Sequence, residues 1–175
     1  MFKTLLISII CFLLLNINAY AAGNSKIGII DFQQIMNDSI EGKAVQQEII
    51  QKRDELKSEL DKAQADIKAL QEQYKKEALI LNKEERQSRE REFRMKLNDF
   101  RNLQVNNQKE FNDFRVKLIN ELKKDIVDYA GKKGTKEGYR LIIEKQSGEV
   151  FYSHKSLDIT DDIIQDYNKS KSKTK

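Results

Sequence analysis

Nucleophilic catalysis asks for a cysteine or serine held beside a histidine, and this chain has a single histidine, His154, which follows a strand-like run. Its one cysteine, Cys11, sits in an apolar stretch near the start, so neither a thiolate centre nor a Cys/His zinc site can be assembled. Aspartates and glutamates are numerous, but they fall at helix-face spacing among lysines and arginines, with no acid pair set apart for proton transfer. No phosphate-cradling glycine loop occurs. These residue types speak against an enzyme and call for no cofactor and no metal. What remains is binding through charge and apolar contact. Arg86, Arg89, Arg91 and Arg94 cluster near the middle of the chain, a set of candidate electrostatic contacts for an anionic partner. A competing reading makes them a solvated helix face paired with Glu90 and Glu92.

Such side chains act only where something holds them, and residues 43–129 provide it: about half of the chain, without a proline or a glycine. The first arm sets Ile49, Leu56, Leu60, Ala63, Ile67, Leu70 and Tyr74 at steps of seven, four and three, the seam of a heptad pattern. Charges of both signs fill the other positions, as on a solvated helix face. The pattern breaks at Asn82, whose side chain can cap a second helix while Glu85 completes a capping box, so the tip is expected at residues 80–82. The second arm resumes with Phe93, Leu97, Phe100 and Leu103, then Phe111, Phe114, Leu118, Leu122, Ile126 and Tyr129. At 1.5 Å per residue, an arm of about 38 residues reaches roughly 55 to 60 Å, far beyond the width of a small domain, so the hairpin must project. Between the aromatic clusters, residues 104–108 (Gln104, Val105, Asn106, Asn107, Gln108) put polar groups where the seam expects apolar ones. Two readings stand for this segment: a register device or a flexible joint.

Residues 1–21 read as a signal peptide, with Lys3 as the positive start, an apolar core over 5–15, and Ala19-Tyr20-Ala21 as the small-residue pattern cleaved after Ala21. The apolar run is short for a membrane span, and Cys11 inside it reads as a passenger rather than a lipid attachment site. Cleavage there leaves 154 of the 175 residues, none of them cysteine, and lowers the net charge from +4 to +3. The positive excess is uneven: residues 43–92 hold twelve basic and twelve acidic side chains, residues 93–137 eleven and seven.

The remaining segments, 22–42 and 130–168, form a small body. Residues 26–31 read as a buried strand and 32–37 as a short helix capped by Asp31. Gly131, Gly134 and Gly138 punctuate the close of the second arm. Residues 139–145 and 149–153 read as a β-hairpin turning at Gln146-Ser147-Gly148, with Gly148 able to take the left-handed conformation. Alternation places Tyr139, Leu141 and Ile143 on one face, with Val150 and Tyr152 as partners. Thr160 can cap a short helix through Tyr167, followed by a lysine-rich tail over 169–175 expected to be disordered. A body of about 60 residues without staples seldom supplies more than ~3 to 5 kcal/mol, and three strands with open edges invite pairing with copies of the chain. We therefore expect an obligate homo-oligomer.

Laid out in this order, the chain resembles the Skp/OmpH family of periplasmic chaperones over its length beyond the signal peptide. The carrying features are KIGIIDFQQIMNDSIEGKAVQQEI, the charged hairpin with LNKEERQSREREF at its tip, GYRLIIEKQSGEVFYSHKSLDITDDII, and a short lysine-rich end. The resemblance implies an α+β, mostly α fold: a long antiparallel coiled-coil helical hairpin projecting from a small β body that assembles as a trimer. It implies an ATP-independent holdase of the periplasm that encloses unfolded outer-membrane proteins between its arms. Ile27, Ile29, Leu141, Ile143, Val150 and Tyr152 would then pack the trimer body. The arms would meet the client through Leu56, Leu60, Ile67, Leu70, Phe93, Leu97, Phe100, Phe111 and Phe114. Members are associated with basic surfaces that touch membrane or lipopolysaccharide; residues 83–96 here carry six basic and four acidic groups, which suits at most a weak membrane-surface contact. Nucleic acid is not an expected partner, since export and balanced arm charges oppose it. The rival reading is a secreted coiled-coil structural adaptor that docks another envelope protein through the hairpin tip.

Overall fold

In the computed structural model, residues 26–77 and 80–172 are described, so the signal segment and residues 173–175 of the tail lie outside the description. The chain runs β1 (Lys26–Ile30), α1 (Phe32–Asp38), α2 (Ile40–Glu77), α3 (Lys83–Glu137), β2 (Tyr139–Glu144), a 3-10 turn (Lys155–Leu157) and α4 (Thr160–Ser172). With 38 and 55 residues, α2 and α3 are about 57 and 82 Å long.

Local chemistry sets the boundaries. Asp31 caps α1 by accepting from the Gln34 amide at 3.1 Å. Ser39 separates α1 from α2: its hydroxyl accepts from Gly42 N at 3.0 Å, and the Gln46 side chain donates back to Met36 O at 3.0 Å. The approach there is so close that a Cβ on Gly42 would lie 2.3 Å from Met36 O. At the tip, Asn82 caps α3 and forms a complete capping box with Glu85. The helix does not stop at Gly131 or Gly134, where the sequence pattern would close it. Gly134 is buried against Ile142, so it serves packing, and α3 continues to Glu137 before Gly138 ends it in the left-handed conformation (φ 75°).

The body holds a second departure from the sequence pattern. β2 pairs with β1, in parallel and in register Ile27 to Leu141 and Ile29 to Ile143, instead of forming a hairpin with residues 149–153. The turn after β2 closes through Gly148 N to Glu144 O (2.8 Å) and Val150 N to Lys145 O (3.1 Å), and it is Glu149, not Gly148, that takes positive φ (49°). The chain must then reach the opposite edge of β1, where Ile159 N donates to Ile29 O at 2.9 Å and Asp158 bridges Ile29. Residues 150–153 form no strand, and the chain returns to β1 only at 158–159.

One sheet face, carrying Ile30 and Ile142, packs on the root of α3 and on α4, where Ile35, Met36, Leu122, Ile126, Ala130, Ile159, Ile163 and Tyr167 form the core. α4 extends past Tyr167 to Ser172, because Lys171 pairs with Asp125 and lies over the Tyr167 ring, while Lys169 pairs with Asp166. Lys169 and Lys171 are therefore helical, not part of a disordered tail.

Candidate functional site on the hairpin

The two long helices meet along the stripe that the heptad spacing marks. Ile49, Leu56, Leu60, Ala63, Ile67, Leu70 and Tyr74 on α2, and Phe93, Leu97, Phe100, Leu103, Phe111, Phe114, Leu118 and Leu122 on α3, are each buried or half-buried, while most positions between them are exposed. Antiparallel alignment is fixed by polar ties. Lys52 and Glu110 pair at 2.6 Å across the seam, and Arg89 reaches Glu77 at 3.7 Å near the tip.

Asn107 is the most informative of these ties. It is buried on the seam, and its side-chain amide donates to Leu56 O at 3.3 Å and to Glu59 Oε2 at 3.2 Å. α3 passes through residues 104–108 without interruption. The polar segment thus matches a register device, in which one buried amide finds its partners only at one alignment of the arms.

The seam changes what the arm offers a partner. Leu56 is buried, and Leu60, Ile67, Leu70, Phe93, Leu97, Phe100, Phe111 and Phe114 are half-buried between the two helices, so the aromatic and leucine stripe holds the hairpin together before anything else. The apolar groups the arms expose are different ones: Ile50, Ile80, Met95, Val105, Val116 and Val127. Sequence spacing overlooked them because they are isolated, and periodicity finds stripes of three and four.

The tip arginines divide. Arg86 donates to Leu81 O at 3.0 Å, closing the turn; Arg89 is shared between Glu77 and Glu92; Arg94 pairs with Glu90. Arg91 has no hydrogen-bond or ion-pair partner among the described residues. Three of the four are thus occupied in the manner of a solvated helix face.

The root of the arm is clamped by α4. Tyr167 is buried edge-on to Tyr129, ring centroids 5.5 Å apart, and donates to Asp125 Oδ2 at 2.7 Å. Its hydroxyl is held above the ordinary range by burial and by the Asp125 carboxylate, and Asp125 is held below its own by hydrogen bonds from Lys171 and Tyr167. Lys133, only 7% exposed, donates to Asp166 at 2.7 Å and to Glu137 at 2.6 Å. Burial alone would lower its pKa; the two carboxylates outweigh burial and raise it. No group of three or more histidine, cysteine or acidic residues suited to a metal occurs among the described residues. Nor is any described helix long and apolar enough to cross a membrane.

In the body, Ile29 is buried, Ile27, Ile143 and Val150 are half-buried, and Leu141 is half exposed on the sheet face turned away from α3. Phe151 and Tyr152 stand 99% and 85% exposed. The free edge of β2 and these two aromatic rings give the body an apolar side with no cover among the described residues.

No curated protein matches the sequence. Among solved structures, an OmpH-like protein of Caulobacter crescentus CB15, provisionally described as an outer membrane chaperone, superposes with a TM-score of 0.75 over 83% of this chain and 85% of that one, at 13% identity, which establishes a common fold. The sequence model of the family described as outer membrane protein (OmpH-like) matches residues 26–167, which take in every strand, both arms and the start of α4 through Tyr167, and the chain accordingly belongs to the OmpH-like family.

Proposed function

We propose that this protein is an ATP-independent periplasmic holdase that keeps unfolded outer-membrane proteins from aggregating, acting as a homotrimer whose hairpins surround the client. The family is one of chaperones rather than enzymes, and the solved relative carries a chaperone description. The observation that carries the reading is the disproportion of the molecule: a hairpin of about 57 to 82 Å set on a body whose sheet has two strands among the described residues. Parallel sheets are normally covered on both faces, and two strands alone are marginal. Ile29 is already buried within one chain; copies of the chain would cover Leu141 and the half-buried Ile27 and Ile143 beside it and take up Val150, Phe151 and Tyr152. Three arms fixed to such a body would bound a cavity.

A chaperone without an energy source must hold its client by many weak contacts. Each partly buried apolar side chain contributes about 1 kcal/mol or less on the ~25 cal/mol per Å² scale, so several together bind firmly while each exchanges quickly. The test is light scattering of residues 22–175, alone and with a urea-diluted outer-membrane barrel protein. A trimer that forms a discrete soluble complex and suppresses turbidity supports the proposal. A trimer that leaves aggregation untouched favours a tip-docking adaptor, and a monomer overturns the oligomeric body.

A further inference from the structure

Gly131 is a residue that the packing of one chain does not explain. It lies inside α3, where glycine is less favourable than any residue but proline. The other described glycines have a reason on the spot: a Cβ would meet Ile159 at Gly28, Met36 O at Gly42, Ile142 at Gly134 and Ile143 at Gly148, while Gly138 takes positive φ. At Gly131 a Cβ would meet nothing within 4 Å. Glycine in such a place leaves room for a close approach from outside.

What surrounds Gly131 is a groove. A mostly apolar cleft of about 400 Å³ lies between α3, which contributes Val127, Gly131 and Thr135, and β2, which contributes Leu141 and Ile142. The outer edge of β2 has no partner strand among the described residues, and Val127 and Leu141 stand exposed. Elsewhere on the same chain, residues 150–153 have the alternation of a strand yet form none, and they carry Phe151 and Tyr152 almost fully bare. One surface lacks a strand and a ring; the other offers both.

We infer that residues 150–153 of one copy dock along the outer edge of β2 in the next copy, with the Phe151 ring seated over Gly131 between Val127 and Thr135. Positions 127, 131 and 135 follow one another at steps of four on one side of α3, so the ring lies where the middle side chain is missing. Along an extended segment Phe151 points to one face and Val150 and Tyr152 to the other. Phe151 has no polar atom and suits the groove; Tyr152, on the Leu141 face, keeps its hydroxyl within reach of water. The occupant comes from another copy because in its own chain the Phe151 ring touches no groove at all, being 99% exposed. Donor segment and acceptor groove are different surfaces, so each copy gives one and receives one. Head-to-tail contacts of this kind close into rings, and the ring pairs every β2 edge that would otherwise invite aggregation.

This contact rests on the homotrimer of the proposed function, and the experiment separates the two. In residues 22–175, photoreactive benzoylphenylalanine replaces Phe151, which keeps a ring at that position. Copies labelled with 15N and unlabelled copies are mixed in urea and refolded together, so that links between copies differ in mass from links within one. The expected product joins heavy to light chains through the tryptic peptide 125–132, which holds Val127 and Gly131. In parallel, Gly131→Leu fills the groove while favouring the helix. It should raise the concentration at which the trimer dissociates roughly tenfold or more, with helicity by circular dichroism undiminished. Lys136→Leu, on α3 outside the groove, should change it less than about threefold. Links confined to single copies overturn the contact and make the segment a cover for its own β2. Links to other peptides of the neighbour, or a Gly131→Leu chain that assembles as the wild type does, overturn the docking while leaving the trimer intact. A wild-type chain that is monomeric at micromolar concentration overturns both.

Discussion

Asn107 shows how one residue can fix the geometry of a 55-residue helix. Its amide is satisfied by Leu56 O and Glu59, partners present only when the arms align as they do. Asn107→Asp would place a carboxylate in a buried seam next to Glu59, and the expected loss is about 1 to 3 kcal/mol, read from urea midpoints. Glu59→Gln in the same chain should recover part of that loss; no recovery would mean that the two side chains do not interact. Tyr167 makes a second single-residue lock. Tyr167→Phe keeps the ring against Tyr129 and removes the bond to Asp125, for an expected cost of about 1 kcal/mol, whereas Tyr167→Ala should cost about 3 to 5 kcal/mol through the cavity left in the core. Equal losses for the two variants would place the stabilisation in the hydroxyl and not in the ring.

At the scale of elements, the junctions matter more than the helices they join. Gly42 is required not for its backbone angle but because α1 ends against it, with Met36 O where a Cβ would stand. Gly42→Ala should therefore cost about 3 kcal/mol, at the upper end for overpacking, lowering the thermal midpoint. The clamp between α3 and α4 is ionic. Asp166 and Glu137 sit below the ordinary carboxylate range through hydrogen bonds from Lys133, and Asp125 through one from Lys171. Carboxyl groups with depressed folded values stabilise the fold above their ordinary range and lose that contribution as pH falls through the folded values. Lys133, whose value is raised, keeps its charge throughout that window. We expect the near-ultraviolet signal of Tyr129 and Tyr167 to collapse as pH falls below the ordinary carboxylate range of about 4, with the loss smaller in Asp166→Asn. An acid transition identical in wild type and variant would remove Asp166 from the clamp.

For the whole molecule, the decisive surface is the part of the sheet around Leu141, which is half exposed in the single chain. If copies of the chain cover it, Leu141→Arg should convert the assembly to smaller species in light scattering at micromolar concentration while the arms stay helical by circular dichroism. Unchanged size would place the interface elsewhere. The arms themselves do not depend on that interface for their pairing, since seam and polar ties are complete within one chain.

The hairpin was legible in the sequence because its contacts are local in pattern: a stripe at steps of three and four, a capping box at Asn82, and no glycine or proline between. Asp31 as a cap and the 80–82 tip follow from the same nearest-neighbour chemistry. Sheet partners are not local. Residues 139–153 look like a hairpin to any reading based on alternation, yet β2 pairs with β1 across more than 100 positions of chain because 158–159 must reach the far edge of β1. Nor could spacing reveal that Gly134 packs against a strand, or that Lys171 extends α4 by reaching Asp125. The sequence by itself determined the arm, its tip and its seam; only the tertiary structure decided the sheet, the clamp at the root and which apolar groups remain outside, since these depend on where distant segments meet.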